Sequence, residues 1–324
     1  MPDLVIVGAG RMGANHVRTA RALREWESVV VVDQDAAKAR ALAQTNGFRH
    51  ATRLDQVIGA VDAAILAVPD PLHEEYAVQA LEAGLHVLVE KPLAQDLPAA
   101  TRIAEAAAGR EGHLLVGHIE RFNAAVAEVL RYAGQVQHVE FRRVGPPGGR
   151  ALGDVVSDLM VHDLDLFLAM LGPDADIDRV QAMWAGPEAE MCTALLGTRD
   201  GVCATLVASR MSQAKLRSII VTAEGVQVVA DLVRQSVSIF RIDHDEFVDE
   251  GGTTRYRQRG TTEIPFLQQG EPLLAEQRHF AAVVAGEARP LISAQDAIRA
   301  LELVDRVRTA AGPQHPDAAP TAAG

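Results

Sequence analysis

The sequence predicts an α/β fold of two domains: a doubly wound parallel sheet at the N-terminus, then an α+β domain built on a mostly antiparallel, open sheet. Length is the first observation, because 324 residues exceed what one hydrophobic core usually serves. The second is the alternation of apolar runs with helical stretches up to about residue 120. The third is that strand-like segments follow one another directly after that point.

The first domain is predicted to contain five strands that are buried on both faces. Each is a short apolar run that stops at glycine, proline or an acidic residue, as is typical of parallel strands covered by helices. The runs lie at residues 4–7, 29–32, 63–68, 86–89 and 114–117. Helices are predicted between them, among them residues 72–83 and 98–109. This order places a ligand site at the carboxyl ends of the strands and ends the domain near residue 120.

The second domain is predicted over residues 121–312, and residues 313–324, rich in proline and alanine, are predicted to be a flexible tail. A helix at 155–171 has apolar residues at helical spacing and stops at Gly172-Pro173. Two late helices, at 273–285 and 294–310, are candidates for packing back on the first domain. The expected strands lie at 136–144, 192–196, 202–209, 216–222, 226–231 and 237–242.

Composition excludes several classes of partner. A formal net charge of -12 at pH 7 argues against nucleic acid, which needs a basic face, and against anionic membranes. No apolar stretch reaches the length of a membrane span and the N-terminus has no basic leader region, so a cytoplasmic location is expected. Cys192 and Cys203 lie in strand-like runs, which favours reduced thiols in the core and excludes a cysteine metal site.

A glycine-rich motif follows the first predicted strand and opens a helix. It reads Gly8-Ala9-Gly10-Arg11-Met12-Gly13, the G-x-G-x-x-G pattern in the context that a dinucleotide site requires. Gly8 allows a tight turn, Gly10 lets the backbone approach a pyrophosphate, and Gly13 permits close helix packing. Arg11 and Met12 lie at the helix N-terminus, whose free N–H groups attract an anion. A glycine-rich turn without a ligand is the alternative.

Asp33, at the end of the second predicted strand, supports a dinucleotide site. It lies about twenty residues after the motif, where a carboxylate accepts hydrogen bonds from both ribose hydroxyls. A 2′-phosphate would be repelled there unless a cation neutralised it, and Gln34 and Asp35 carry no positive charge. The sequence therefore predicts NAD rather than NADP, with Arg11 the nearby cation that weakens the inference.

Further motifs stand at the ends of predicted elements. They are Ala67-Val68-Pro69-Asp70-Pro71-Leu72-His73, Glu90-Lys91-Pro92 and Asp158-Leu159-Met160-Val161-His162-Asp163. With the glycine motif, they resemble the family of glucose-fructose oxidoreductase, inositol dehydrogenase and MocA, over residues 4 to about 306. The resemblance implies an enzyme with an NAD-binding Rossmann domain at 1–120 and a substrate and oligomerisation domain at 121–312. Its cofactor-binding residues would include Pro69, His73, Glu90 and Lys91.

His162 is predicted to be the base that takes a substrate hydroxyl proton while a hydride leaves carbon, because imidazole suits proton transfer near neutral pH. Asp158 precedes it by four residues, so on a helix the two share one face. The carboxylate can then orient the ring or bind a neighbouring substrate hydroxyl. A helix histidine satisfied in the domain interface is the alternative, and the family resemblance favours the catalytic reading.

Lys91 is predicted to donate to the reacting oxygen and to a cofactor ribose hydroxyl, because it stands at the carboxyl end of a central strand. An exposed strand-end lysine is the alternative. The Lys91–Pro92 bond is a candidate cis peptide, which the family pattern also implies. A structural role is favoured for Glu90. For His73, capping or packing at a helix start is as plausible as a position beside the nicotinamide.

No metal site is predicted. The segment Asp243-His244-Asp245-Glu246 has the composition of a metal cluster but is more often a solvated charged turn. His162 and Asp163 are also unsuited to sharing a metal, because adjacent residues on a helix point to different sides.

Residues 117–126 connect the predicted domains, and domain junctions form good pockets. Together with Arg142-Arg143, this segment resembles the branch of the family that includes UDP-N-acetylglucosamine 3-dehydrogenases, although that branch usually has proline at Ala124. Arg121 and the arginine pair are candidates for contacting a nucleotide-sugar diphosphate, with pairing to local carboxylates an equal alternative. The predicted substrate-binding residues are Lys91, Glu120, Arg121, Asn123, Asp158 and His162.

The first functional hypothesis is therefore an NAD-dependent dehydrogenase that oxidises a secondary hydroxyl of a sugar, most specifically C3 of a UDP-N-acetyl-hexosamine. An inositol or aldose dehydrogenase is the alternative within the enzymes. A non-catalytic NAD-binding regulator is the alternative of another class, since fold does not fix function. The open sheet of the second domain predicts a homodimer or homotetramer, because a face is left to cover.

Overall fold

The computed structural model describes residues 1–109, 113–147, 153–186, 189–248 and 254–313. These residues form two compact units. The first comprises Met1–Phe122 and Gly270–Glu302, and the second comprises Asn123–Gln269 and the chain from Leu303 onward. The first unit is thus built from two separate stretches of chain. Of the tail predicted at 313–324, only Pro313 lies within the described residues.

The first unit contains a six-stranded parallel sheet with the order β3-β2-β1-β4-β5-β6. Its strands are β1 Leu4–Val7, β2 Val29–Val32, β3 Arg49–Ala51, β4 Ala63–Leu66, β5 His86–Glu90 and β6 Leu114–Gly117. All five predicted strands are present, which confirms the doubly wound sheet. The sixth, β3, escapes sequence prediction because its three residues include no apolar run.

Helices cover both faces of this sheet. Those of both units, in chain order, are α1 Arg11–Ala22, α2 Ala36–Asn46, α3 His73–Glu82, α4 Leu97–Ala107, α5 Ala124–Val129, α6 Val161–Leu171, α7 Pro272–Val284 and α8 Ala294–Ala311. In the first unit, Leu88 of β5 packs in one core cluster with Phe280 of α7. Its neighbour Val87 points the other way, into a cluster with Leu301 of α8. Within the described ranges, no helix is both long and apolar enough to cross a membrane.

The second unit contains an eight-stranded mixed sheet with the order β14-β13-β12-β11-β7-β10-β9-β8. Its strands are β7 Val136–Val144, β8 Ile177–Ala185, β9 Met191–Thr198, β10 Cys203–Ser209, β11 Leu216–Ala223, β12 Val226–Asp231, β13 Ser236–Val248 and β14 Thr254–Glu263. β7 and β10 pair in parallel, and the other pairs are antiparallel. The mostly antiparallel sheet predicted for the second domain is confirmed.

Three strand assignments differ from the sequence prediction. β8 and β14 are additional strands, and both carry polar residues at positions where a buried strand would show an apolar run. β13 continues six residues past its predicted end at Ile242. The charged segment 243–246 therefore lies in a strand. The solvated turn that the sequence favours at this position is wrong.

The helix predicted over 155–171 is not one regular α-helix. Residues Val156–Met160 form a π-helix, and α6 follows directly at Val161. Asp154 begins the segment, since its Oδ1 accepts hydrogen bonds from the amides of Val156 and Ser157. Such π-turns occur often at functional sites, and this one carries Asp158.

Cys192 and Cys203 are free thiols, as the sequence predicts. Cys192 on β9 is fully buried, and its burial raises the pKa of the thiol to about 12. Cys203, at the start of β10, is half-buried. Cys192 thus packs as a small apolar side chain of the core.

Cys192 is expected to resist alkylation by iodoacetamide in the native protein, because the thiolate is the reactive form and its pKa lies far above neutral pH. Labelling followed by peptide mass spectrometry checks this. Modification of Cys192 should appear only after unfolding in denaturant. Labelling of native Cys192 at the rate found in denaturant would contradict its burial.

Candidate active site

Backbone packing explains two of the three motif glycines. Gly8 has φ +105°, and a Cβ placed on it would lie 2.4 Å from the Ala67 carbonyl oxygen. A Cβ on Gly13 would lie 1.8 Å from the Gly8 carbonyl oxygen. A Cβ on Gly10, in contrast, would meet nothing within 4 Å. The absence of side chains at Gly8 and Gly13 therefore lets the loop and α1 pack closely, while Gly10 borders open space that a pyrophosphate can enter.

The start of α1 is suited to bind that anion. Gly10 is the N-cap residue, and no side chain caps the helix. The first turn also lacks acidic residues, and the exposed Arg11 begins it. The amides of a first helical turn have no intrahelical acceptor, so those of Arg11, Met12 and Gly13 can donate to phosphate oxygens. These residues fit the dinucleotide that the sequence predicts.

Asp33, directly after β2, is bonded to the glycine loop. Its Oδ2 accepts a hydrogen bond from the Ala9 amide at 2.7 Å, and its Oδ1 accepts one from the Asp35 amide at 2.8 Å. One carboxylate thus joins the loop after β1 to the turn after β2. Each carboxylate oxygen can accept a second hydrogen bond, so Asp33 can also receive ribose hydroxyls.

A second carboxylate stands close to Asp33 in the chain. Asp35 is the N-cap of α2 and accepts hydrogen bonds from the amides of Ala37 and Lys38. The amide of Lys38 is the main reason why the pKa of Asp35 lies below its ordinary value. The ammonium of Lys38 lies 3.3 Å from the same carboxylate, so the positive charge of Lys38 is already paired with Asp35.

His73 joins the two loops that follow β4 and β5. The side chain is only 1% exposed. Its Nδ1 lies 2.8 Å from the Pro92 carbonyl oxygen, and its Nε2 lies 3.0 Å from the Val68 carbonyl oxygen. Pro69 is exposed at the start of the connecting turn. These contacts support the structural reading of His73, and its position beside a nicotinamide stays a prediction.

The end of β5 carries the Glu90-Lys91-Pro92 motif. The Lys91–Pro92 peptide is cis, as the sequence predicts. Lys91 is half-buried, at the carboxyl edge of the sheet. Glu90 is 9% exposed, and its Oε1 lies 2.7 Å from Nε2 of His16 on α1. Glu90 therefore has a structural partner, which agrees with the role favoured for it.

In the second unit, the structure places Asp158 on the π-helix and His162 at the second position of α6. The change from π to α geometry falls between them, so their relative direction is not that of one regular helix. Arg210, just after β10, donates from Nη2 to Asp158 Oδ2 at 2.8 Å and from Nη1 to the Gly153 carbonyl at 3.1 Å. The Arg210 side chain is 9% exposed, so it is a buried support for Asp158.

Arg143 has a buried carboxylate partner. Its guanidinium donates to both oxygens of Asp163, at distances from 2.7 to 3.1 Å. The two side chains are 2% and 4% exposed. Of the two roles open for the arginine pair, the structure gives Arg143 the local ion pair, whereas Arg142 is exposed. The Asp163 carboxylate is thereby the buried ion-pair partner of Arg143.

The connecting segment contributes residues to both units. Glu120 is buried and Arg121 half-buried in a 3-10 turn of the first unit. Asn123 begins the second unit and is the N-cap of α5, accepting from the Ala125 amide. Its Nδ2 also donates to the Leu232 carbonyl at 3.0 Å. These bonds support a structural role for Asn123, and its contact with substrate stays a prediction.

Comparison with known proteins places the chain in a family. Residues 3–118 match the model of an oxidoreductase family with an NAD-binding Rossmann fold. The UDP-N-acetylglucosamine 3-dehydrogenase of Acidithiobacillus ferrooxidans is 30% identical over 239 residues, which are 72% of this chain and 75% of that protein. The chain belongs to the Gfo/Idh/MocA oxidoreductase family.

Other members of the Gfo/Idh/MocA family resemble the chain over different lengths. Inositol 2-dehydrogenase 4 of Saccharopolyspora erythraea is 36% identical over 52% of this chain and 54% of its own length. The solved structure of the Acidithiobacillus ferrooxidans enzyme has a TM-score of 0.82, with 26% identity over 95% of this chain and 97% of that one. Scyllo-inositol dehydrogenase of Lactobacillus casei, solved with NAD(H) and scyllo-inositol, shares the fold with a TM-score of 0.77 and 18% identity over 96% of each chain.

Sequence motifs of the Gfo/Idh/MocA family do not point to every supporting residue found here. His16, Gln277 and Arg210 all contact predicted site residues or their neighbours. His16 follows the glycine motif by only three residues, so its place on α1 was the one available signal. Gln277 and Arg210 lie far along the chain from their partners, and no local pattern indicates them.

Proposed function

We propose that this chain is an NAD-dependent dehydrogenase that oxidises a secondary hydroxyl of a sugar to a ketone, and that the sugar is a UDP-N-acetyl-hexosamine oxidised at C3. The observation that carries the reaction class is the glycine loop, whose Ala9 amide is bonded to Asp33 at the carboxyl edge of a parallel sheet. The choice of sugar rests on the similarity to the Acidithiobacillus ferrooxidans enzyme.

Charge supports NAD over NADP. Asp33 would accept the ribose hydroxyls, and a 2′-phosphate would meet its carboxylate instead. Asp35 adds a second carboxylate in the same turn, and Lys38 is already paired with it. Arg11 is the exposed cation that could offset this repulsion. We therefore expect the enzyme to turn over with NAD and only poorly with NADP.

The chain's own residues supply the proton chemistry. NAD, which the glycine loop and Asp33 would hold, would supply the hydride acceptor for the hydroxyl-bearing carbon. His162 takes the hydroxyl proton, so that proton and hydride leave the alcohol together and a ketone remains. Lys91 donates a hydrogen bond to the reacting oxygen. Asp158, fixed by Arg210, binds a neighbouring hydroxyl or orients the histidine ring.

A charged residue outside this set is proposed to recognise a diphosphate. Arg121 is the remaining arginine candidate, because Arg143 is buried against Asp163 and Arg142 points to the opposite sheet face, the one that carries Leu195. Glu120 is proposed to accept a hydrogen bond from a substrate hydroxyl. An inositol or aldose substrate would need no diphosphate contact, and inositol 2-dehydrogenases also match about half of the chain. Arg121 therefore separates the two substrate classes.

The experiment is a turnover assay that follows NADH absorbance with UDP-N-acetylglucosamine, UDP-glucose, myo-inositol and free aldoses, using NADP as the control cofactor. Turnover of the UDP-amino sugar supports the proposal, and Arg121→Met should then raise its KM. Turnover of inositol or aldoses alone would move the chain to that class. Binding of NAD without any turnover would favour a non-catalytic regulator.

We also propose that the chain forms a homodimer, or a homotetramer built from such dimers, through the outer face of its second sheet. One face of this sheet carries apolar side chains that are exposed in the single chain: Met183 (68%), Leu195 (47%), Phe240 (38%) and Ile242 (50%). A second copy of the same face would cover them by an isologous contact, as most homo-oligomers do.

Leu195→Arg is expected to shift the protein from oligomer to monomer, because a charge would be buried at the contact. Light scattering after size-exclusion chromatography measures the mass directly. Leu291→Arg is the matched control, since Leu291 is equally exposed (47%) but lies in the first unit. A wild-type protein that is already monomeric would contradict the proposal.

A further inference from the structure

A buried polar cluster lies on one face of the first unit's sheet and links three elements. His16 comes from α1, Glu90 from the end of β5, and Glu276 and Gln277 from α7. His16, Glu276 and Gln277 are 0% exposed. The cluster shares its face with Leu88, two residues before Glu90, which packs in the core with α7. Of its members, only Glu90 belongs to a predicted site motif.

The direction of its hydrogen bonds can be assigned from chemistry. Gln277 Nε2 lies 2.9 Å from the backbone carbonyl oxygen of His16, which can only accept, so this atom is the amide donor. The same nitrogen lies 2.8 Å from His16 Nδ1, which must therefore accept. The proton of the neutral ring is then on Nε2, which donates to Glu90 Oε1 at 2.7 Å. Donation runs from Gln277 to His16 to Glu90.

Glu90 is also confined from the opposite side. Its register partner on β6 is Gly117. A Cβ on Gly117 would lie 3.3 Å from Glu90 Oε2 and 3.2 Å from Glu90 Cα. The missing side chain of Gly117 thus leaves the space that the carboxylate occupies, while His16 holds its other oxygen. The Glu90 side chain therefore has one defined position.

Glu276 lies beside this pair, and its surroundings favour its neutral form. Among the described residues, neither of its carboxylate oxygens has a hydrogen-bond partner. Burial, and then the nearby Glu90 carboxylate, raise its pKa well above the ordinary value. Both effects favour the protonated carboxyl, because a second buried negative charge next to Glu90 would be costly.

We propose that Gln277 and His16 are positioning residues, which fix the Glu90 carboxylate and through it the end of β5 that carries Lys91. This inference rests on the proposed function for Lys91. Lys91 directly follows Glu90, and His16 lies on the helix that the glycine loop opens. One buried histidine thus connects Lys91, the proposed hydrogen-bond donor to the reacting oxygen, with the phosphate-binding loop, and α7 holds that histidine.

A metal centre is the competing reading of the same cluster. One ligand atom each from His16, Glu90 and Glu276 lies within 4.8 Å of the others. Both ring nitrogens of His16, however, are used by hydrogen bonds, Nδ1 from Gln277 and Nε2 to Glu90. A metal would have to displace one of them. The observed bonds favour positioning, and Glu276 separates the two readings because only a metal needs its carboxylate.

The test compares two substitutions of His16. His16→Leu removes the donor to Glu90, and kcat should fall about 10- to 100-fold, the size that a displacement of about 1 Å produces. His16→Gln keeps an N–H donor near the Nε2 position and should recover most of that loss. The affinity for NAD, measured by titration calorimetry, should stay within about threefold, because the loop amides remain.

Gln277→Glu should act like His16→Leu, because an acceptor would face the His16 carbonyl oxygen. Gln295→Glu is its matched control, with the same charge change at an exposed position of α8. Glu276→Gln should leave kcat unchanged. Loss of activity in Glu276→Gln, with stoichiometric metal in the wild type by elemental analysis, would overturn the proposal in favour of a metal centre.

A second readout does not need turnover. The chain has three lysines, so trace acetylation of the apo protein can report Lys91 against the exposed Lys38 and Lys215. His16→Leu should change the relative labelling of Lys91 at least about threefold, and His16→Gln should restore it. Unchanged labelling of Lys91 together with an unchanged kcat in His16→Leu would overturn the proposal. An equal loss of kcat in both His16 variants, with equal losses of Tm, would overturn it as well. If the wild type turns over no substrate, the proposed function fails and the labelling alone decides on positioning.

Discussion

Replacing His162 with alanine is expected to lower kcat by about three orders of magnitude, because a positioned acid or base contributes roughly 10²- to 10⁴-fold to a rate. The loss corresponds to about 4 kcal/mol of transition-state stabilisation. NAD affinity should be retained, because the glycine loop and Asp33 belong to the first unit whereas His162 lies on α6 of the second. Steady-state kinetics and calorimetric titration with NAD measure the two effects separately.

His50→Ala is the matched control, since His50 is exposed on the edge strand β3 and should tolerate the change without loss of rate. The pH profile gives a further check. The acidic limb of kcat/KM that reports a free-enzyme base should disappear in His162→Ala. A parallel loss of NAD affinity, or an unchanged limb, would remove His162 from the role of proton acceptor.

Gly13→Ala is expected to destabilise the apo protein strongly. Its new Cβ would lie 1.8 Å from the Gly8 carbonyl oxygen, and both atoms are held by backbone. Overpacking of this kind costs about 1–3 kcal/mol, so Tm should fall by roughly 5–10 °C. Differential scanning calorimetry of the apo protein measures the shift. NAD affinity should fall as well, since α1 must move away from the loop.

Gly10→Ala provides the contrast, because its Cβ would meet no protein atom within 4 Å. Apo stability should therefore stay near the wild type, while NAD binding weakens by at least about tenfold where the methyl group meets the pyrophosphate. If both variants lost stability equally, Gly10 would be a packing glycine. If Gly10→Ala bound NAD normally, the pyrophosphate would not lie beside it.

Local patterns explain which parts of the site were predictable. The glycine motif, Asp33 and the cis Lys91–Pro92 bond are each specified within a few residues by a strand, a turn and a helix start. The apolar runs that form β1 and β2 are equally local. Such features reflect backbone needs that only certain residue types satisfy, so the sequence displays them directly.

Contacts between distant parts of the chain could not be read in this way. Gln277 donates to His16 across 261 positions, and Arg210 donates to Asp158 across 52. Either residue could equally be a solvated surface group, because its own neighbours in sequence do not reveal its partner. The arginine pair shows the same limit, since the fate of Arg143 depends on Asp163, twenty positions away on α6.

The two separate stretches of chain that build the first unit set an order on its synthesis. Residues 1–122 leave the ribosome first, yet α7 and its Phe280, which pack beside Trp26, follow only after all of Asn123–Gln269. During that interval the growing chain exposes an apolar sheet face and lacks the Gln277 donor to His16. A minimal cofactor-binding fragment must for the same reason join Gly270–Glu302 behind Phe122 through a linker, rather than stop where the parallel sheet ends.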